Sequence, residues 1–78
     1  MRNPECITAL DHVVGNNIRR RRRELGFSQD TLAKALSISS QQVHKFEKGV
    51  NRVSAVRLYT LSQLLGMPME LFFRNQAE

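Results

Sequence analysis

Hydrophobic residues in the segment 28–36 repeat at the spacing of a short amphipathic helix. Leu32, Ala33 and Leu36 lie on one face of such a helix. Ser28 stands directly before the first turn, where a serine side chain accepts a hydrogen bond from a free backbone N–H. The pattern therefore predicts a helix that begins after Ser28.

A second helix follows after a turn of only two residues, 37–38. Ser39 is placed as its N-cap, and Gly49 follows its last turn. Val43 and Phe46 form its inner face, whereas its outer face is rich in Ser, Gln, His and Lys. Two short helices joined so tightly, the second carrying hydrogen-bonding side chains outward, indicate a helix-turn-helix that reads DNA.

A longer helix is predicted before this pair. It begins at Asp11 and ends at Gly26, and Phe27 is expected to fill the corner that follows. Its inner face consists of Val14, Ile18, Arg22 and Leu25.

Two more helices are predicted after a connector at 50–53. Ser54 caps the first of them and Gly66 ends it. The inner face of this helix consists of Leu58, Leu61, Leu64 and Leu65. Pro68 suits the first turn of the last helix, because its missing N–H has no helical partner there.

These five short helices predict a compact all-α domain over residues 10–74. An N-terminal arm (1–9) precedes it and a short polar tail (75–78) follows. The chain has 78 residues, which is the size of one domain. No hydrophobic run reaches the length of a membrane span, and nothing near Met1 resembles a secretory signal. We therefore expect a cytoplasmic protein, associated with the nucleoid when it is bound to DNA.

The composition gives little support for catalysis. The single cysteine, Cys6, cannot form an intramolecular disulfide and cannot hold a zinc ion alone. The sequence has no glycine-rich phosphate loop, no metal-ligand cluster and no nucleophile spaced with a base. We expect no enzyme, no cofactor, no metal site and no small-molecule ligand.

The formal net charge of +5 makes the chain a candidate for binding a polyanion, although basic charge can also serve solubility alone. The only charge run is the five arginines at 19–23, which cannot all share one helical face. Arg22 falls on the apolar face, so it needs a carboxylate partner, and Glu47 is the predicted one. Arg19 is expected to contact the DNA backbone, a merely solvated position being the alternative.

Side chains at the two ends of the predicted helix pair are candidates for DNA contact. Gln29 begins the first helix, where its amide and the free N–H groups can donate to a phosphate. Lys48, Asn51 and Arg52 border the loop after the second helix and are expected to contact phosphates. An ordinary polar surface is the alternative for each.

The exposed arc of the second helix supplies the candidates for base reading. Gln can read adenine through N6 and N7, Lys can reach guanine O6 or N7, and Ser can contact base or phosphate. The residues are Ser40, Gln41, Gln42, His44 and Lys45.

Apolar residues late in the chain exceed what a small core needs. Tyr59, Met69, Phe72 and Phe73 include some that close the core and some that suggest a partner surface. Met69, Phe72 and Phe73 are the candidates for a dimer interface.

Residues 14–73 resemble the Cro/C1-type helix-turn-helix family, also called the XRE family, of bacterial and phage regulators. The resemblance covers more than three quarters of the chain and lies in residues 15–19, 22, 25–29, 32–33, 38–39, 43, 46–49, 58, 61 and 65–66. It implies a five-helix, lambda-repressor-like domain whose third helix enters the major groove. Carried over by position, the base-facing set is Ser40, Gln41, His44 and Lys45, with Gln42 beside it. Arg22 and Glu47 resemble the internal ion pair of the family.

The resemblance implies a sequence-specific transcriptional regulator. Because one recognition helix reads only a few base pairs, we expect a homodimer on a near-palindromic operator, with repression as the simplest output. The alternative is an antitoxin or protein-interaction module that sequesters a partner protein and regulates its own operon. A toxin gene next door or co-purification with a second small protein would favour that alternative.

Overall fold

The computed structural model describes residues 8–75 and is all-α. Its helices are α1 (Ala9–Glu24), α2 (Gln29–Leu36), α3 (Ser40–Glu47), α4 (Ala55–Leu65) and a 3₁₀ helix (Met69–Phe73). Residues 1–7 of the predicted arm and 76–78 of the predicted tail lie outside the described residues.

Residues 8–75 form four α-helices and one 3₁₀ helix, so the expectation of a five-helix domain is corrected in its last element. In the segment after Pro68, the backbone N–H of Leu71 donates to Pro68 O and that of Arg74 donates to Leu71 O, both bonds spanning three residues. A segment of five residues is too short to repay the nucleation of an α-helix, and the tighter 3₁₀ turn serves in such short pieces.

Serine side chains begin three of the helices as the sequence predicts. The hydroxyl oxygens of Ser28, Ser39 and Ser54 accept hydrogen bonds from the backbone N–H groups three residues later. Gly66 ends α4 in the left-handed conformation, with φ 60°.

The first helix begins earlier than predicted, at Ala9 rather than Asp11. Thr8 is the N-cap, and its side chain accepts from the Asp11 N–H while the Asp11 carboxylate accepts from the Thr8 N–H. This reciprocal capping box satisfies two free backbone donors, which places Asp11 in the first turn rather than at the start of the helix.

The core lies where the inner faces of α1, α2, α3 and α4 meet the 3₁₀ helix. Its buried residues are Val14, Ile18, Leu32, Ala33, Val43, Leu58, Leu61, Leu65 and Phe72. Leu25, Leu64 and Phe27 were expected inside and are instead 36–39% exposed. Leu25 caps the end of α1, where the chain turns away. Leu64 is rotated by one residue, about 100°, from the buried Leu65.

Two contacts fix α1 against the rest of the domain. At Gly15 the helix approaches the end of α3 so closely that a Cβ atom would overlap the carbonyl oxygen of Phe46. The buried amide of Asn17 donates to the carbonyl oxygens of Phe72 at 2.7 Å and Arg74 at 2.8 Å, which attaches the 3₁₀ helix to α1. The position of α3 is therefore set by backbone contact with α1.

Candidate nucleic-acid interface

The outer face of α3 presents the predicted base-reading residues to solvent. Val43, Phe46 and Glu47 are buried on its inner face. On the opposite side the helix exposes four polar side chains, and Ser40 at its start is half-buried. The exposed residues are Gln41, Gln42, His44 and Lys45.

The turn between α2 and α3 is formed by a serine in a strained conformation. Ser37 has φ 59° and ψ 42°, the left-handed region that a residue with a Cβ atom rarely adopts. Its backbone N–H donates to Lys34 O at 3.2 Å, and that of Ile38 donates to Ala33 O at 3.0 Å. This closure of α2 lets α3 begin directly after Ser39.

Arg22 and Glu47 form a buried, two-pronged ion pair between α1 and α3. The Arg22 Nε donates to Glu47 Oε2 at 2.6 Å and its Nη2 donates to Oε1 at 3.0 Å. The third guanidinium nitrogen, Nη1, donates to Phe27 O at 2.8 Å. The pair therefore joins α1 to the last turn of α3, with all three guanidinium nitrogens and both carboxylate oxygens engaged.

Gln29 has a contact that its sequence position does not reveal. Its Nε2 donates to Glu47 Oε1 at 3.1 Å, so the amide extends the Arg22–Glu47 pair into α2. The predicted phosphate contact at this position consequently depends on the backbone N–H groups at the start of α2 and on the second N–H of the amide.

The residues after α3 differ in their surroundings. Lys48 caps α3 and is exposed. Asn51 is half-buried, and its backbone N–H donates to Lys45 O at 3.3 Å. Lys48 therefore remains the more accessible candidate for phosphate contact.

Arg52 has a carboxylate partner in α1 that sequence reasoning did not foresee. Its Nε donates to Asp11 Oδ1 and its Nη2 to Asp11 Oδ2, both at 3.0 Å. Hydrogen bonding from Arg52 is the main reason that the pKa of Asp11 falls from 3.8 to about 2. The hydrogen bond from the Thr8 N–H also lowers this pKa, whereas burial of the carboxylate raises it. Arg52 thus connects the loop after α3 to the start of α1. Its guanidinium forms an ion pair with Asp11, which competes with a phosphate contact.

A cleft of about 720 Å³ lies between α1 and the end of α3. It contains Arg19, which is exposed, together with the side chains of the buried network. The full lining is Arg19, Arg22, Arg23, Gln29, His44, Glu47, Lys48 and Val50. The structure thereby brings together three predicted backbone contacts and one predicted base contact, and it adds Arg23, four residues after Arg19.

The predicted dimer interface is corrected at one residue. Phe72 is 0% exposed and belongs to the core, so it cannot present a surface to a partner. Met69 is half-buried against the core, and Phe73 is 44% exposed. Other apolar side chains are more open to solvent, notably Val56 at 78% and Tyr59 at 56%.

No group of three or more His, Cys, Asp or Glu side chains within 8–75 is arranged to hold a metal ion. No helix in that part of the chain is both long and apolar enough to cross a membrane.

Comparison with known proteins identifies the family. The sequence profile of the helix-turn-helix family matches residues 18–72, which include α2, the turn, α3 and α4. The chain belongs to the Cro/C1-type helix-turn-helix family of transcriptional regulators.

Relatives within this Cro/C1-type family are described as transcriptional regulators rather than enzymes. An uncharacterized HTH-type transcriptional regulator of Sinorhizobium medicae is 48% identical over 66 residues, 85% of this chain and 48% of the relative. The HTH-type transcriptional regulator DicA of Escherichia coli is 40% identical over 52 residues, 67% of this chain and 38% of DicA. The chain spans about half to three fifths of the length of most of the curated relatives it matches.

Two solved structures share the fold of this chain. The restriction-modification controller protein C.AhdI from Aeromonas hydrophila superimposes with a TM-score of 0.76 and 29% identity, over 85% of this chain and 100% of the other. The P22 c2 repressor, crystallised with a synthetic operator, has a TM-score of 0.73 and 24% identity, over 81% and 96%. The lambda-repressor-like arrangement implied by the sequence is thus the fold of this domain.

Proposed function

We propose that this domain binds double-stranded DNA in a sequence-specific manner, with α3 in the major groove. The observation that carries the proposal is the outer face of α3, where Gln41, His44 and Lys45 are exposed on a helix whose inner face is buried. A helix held in this way presents its side chains to base edges in a fixed orientation. Membership of a family of transcriptional regulators supports the same function.

The contacts divide into two classes. Ser40, Gln41, His44 and Lys45 face the bases, with Gln42 beside them, and amide and ammonium groups match adenine and guanine edges in the major groove. The backbone contacts come from the start of α2 at Gln29 and from Arg19, Lys48 and Asn51 around the cleft and the following loop. Arg52 is left out of this set, because Asp11 engages its guanidinium.

The regulator acts as a homodimer on two half-sites about one helical turn, roughly 34 Å, apart, and repression follows from occupancy of a promoter. Phe73 and, on α4, Val56 and Tyr59 are exposed apolar side chains, which supports a partner surface on the domain. As a regulator of transcription it works in the cytoplasm, on the nucleoid.

Selection of bound duplexes from a random pool tests the proposed function. We expect an enriched inverted repeat whose symmetry reports the dimer and whose spacing reports its geometry. On the selected site, Gln41→Ala or Lys45→Ala should weaken binding by about 1–3 kcal/mol, and Gln63→Ala, on the exposed side of α4, should not. A pool without any enriched motif would contradict sequence-specific binding.

A further inference from the structure

We propose that the exposed face of α1 bearing Arg19 and Arg23 is a second phosphate-binding surface, outside the helix-turn-helix unit, that contacts the DNA backbone. This α1 basic face, defined by those two arginines, rests on the proposed DNA-binding function and extends it. It keeps Arg19 as a proposed backbone contact and adds Arg23, another of the five arginines at 19–23.

The two arginines lie on the same side of α1. They are four residues apart, which places them one turn apart on one face of the helix, and both are exposed. Arg22, between them, is rotated away and is buried against Glu47. Both Arg19 and Arg23 line the cleft that Lys48 and His44 of the recognition helix border from the other side. The α1 basic face and the end of α3 are therefore two walls of one concave surface.

The charge of this surface is strongly unbalanced. Glu47 is the only carboxylate in the lining, its side chain is 1% exposed, and its oxygens accept from Arg22 and Gln29. Neither Arg19 nor Arg23 has an ion-pair partner among residues 8–75. Glu24, in the groove beside them, is paired with Arg21 at 3.3 Å. An anion entering the cleft would thus meet arginines whose charge the surrounding carboxylates do not neutralise.

The position of the cleft favours a phosphodiester backbone as the ligand. Its rim includes Gln29 and Lys48, the proposed phosphate contacts at the start of α2 and the end of α3, and His44 of the base-facing set. A duplex that receives α3 in its major groove has its backbone beside these residues and hence beside the α1 basic face. Guanidinium groups suit this contact, because their planar forks match phosphate oxygens.

The test is the salt dependence of DNA binding by the double variant Arg19→Gln/Arg23→Gln. Binding is measured on the selected operator and on a duplex of random sequence, between about 50 and 200 mM salt. Each lost phosphate contact reduces the slope of log K against log salt by about 0.9, so the variant should lose about 1.8 per bound protomer and about 3.6 as a dimer on the operator. Because phosphates carry no sequence information, affinity should fall by a similar factor on both duplexes.

Two controls separate this effect from a general loss of charge or of folding. Lys34→Gln removes one positive charge at the exposed end of α2 and should leave the slope nearly unchanged. Arg19→Lys/Arg23→Lys retains the charges and should keep most of the slope. The thermal midpoint of each variant, followed by circular dichroism, should match that of the wild type, since the substituted side chains are exposed.

The outcomes distinguish the two proposals. Wild-type protein that binds the operator while the double variant keeps its salt slope would overturn the α1 basic face, and with it the backbone contact of Arg19, but would leave sequence-specific binding through α3 standing. A loss confined to the operator would also overturn it, because it would indicate base reading. Wild-type protein that binds neither duplex would overturn the proposed function itself. A reduced slope on both duplexes, retained by the lysine variant, would establish the contact.

Discussion

Gly15 in α1 lies against the carbonyl oxygen of Phe46 at the end of α3, with no room for a side chain between them. The obstructing atoms are backbone atoms of Phe46 and Glu47, so they cannot swing aside as a flexible side chain could. We expect Gly15→Ala to lower the free energy of unfolding by about 2 kcal/mol, the strain exceeding the gain in helix propensity. Urea unfolding would measure it.

Asn16→Ala is the matched control, because Asn16 is the next residue of the same helix and is exposed. It should be neutral or slightly stabilising. Equal stability of the two alanine variants would contradict the prediction, because it would mean that α1 and α3 can move apart to accept a methyl group at position 15 without loss of stability.

Glu47→Ala should destabilise the domain more severely. It leaves Arg22, whose side chain is only 10% exposed, without its carboxylate, and an unpaired buried charge costs about 3–5 kcal/mol. Glu24→Ala breaks the exposed pair with Arg21 and should change the stability by less than about 1 kcal/mol. Replacing both partners, as Arg22→Met with Glu47→Leu, should recover part of the loss. Chemical denaturation would measure these variants, and including Arg22→Met and Glu47→Leu alone would show whether the pair is energetically coupled.

Ser37→Gly should raise the stability by about 1 kcal/mol. The backbone at Ser37 is left-handed, and glycine adopts that conformation without the steric penalty of a Cβ atom. Ser37→Ala should not give this gain, because it retains the Cβ atom. A thermal midpoint that falls in the glycine variant would show that the serine side chain compensates for the strain.

Local chemistry made much of this fold predictable from sequence. The serines at 28, 39 and 54 mark helix starts because their side chains bond backbone groups only three residues away. The Arg22–Glu47 pair could similarly be predicted, since a guanidinium on an apolar face requires a carboxylate. Both inferences need only local spacing and one rule about burial.

The unforeseen features depend on how distant segments meet. Arg52 looks like an ordinary loop cation until the fold brings Asp11, 41 residues earlier, within hydrogen-bonding distance. Gln29 likewise finds Glu47, 18 residues later. Arg23 gains significance only because α1 and α3 enclose one cleft. Periodicity along one segment contains none of this information.

Phe72 and Phe73 should respond oppositely to substitution. In a 3₁₀ helix consecutive residues are about 120° apart, so adjacent phenylalanines face different directions, and here Phe72 is 0% and Phe73 44% exposed. Phe72→Ala should cost about 3–5 kcal/mol of stability, as a large side chain lost from a core does. Phe73→Ser should leave folding nearly intact and weaken the proposed dimer. Thermal unfolding and sedimentation at several concentrations would separate the two effects, and an unchanged dimer in Phe73→Ser would remove this residue from the interface.

The Asp11–Arg52 pair should make stability depend on pH at the acidic end. Because the pKa of Asp11 is about 2 in the fold and 3.8 ordinarily, the folded state favours the carboxylate. The stabilisation is therefore complete above about pH 4–5 and is lost as the pH falls through about 2. Arg52 is 44% exposed, so solvent screens the pair and we expect it to contribute only about 1 kcal/mol to the free energy of unfolding.

Asp11→Asn should be less stable than the wild type by that amount at pH 7, and the stabilities of the two proteins should converge near pH 2. In an Arg52→Gln background the same substitution should have a smaller effect. A difference that persists unchanged at pH 2 would show that the charge of Asp11 does not contribute to stability.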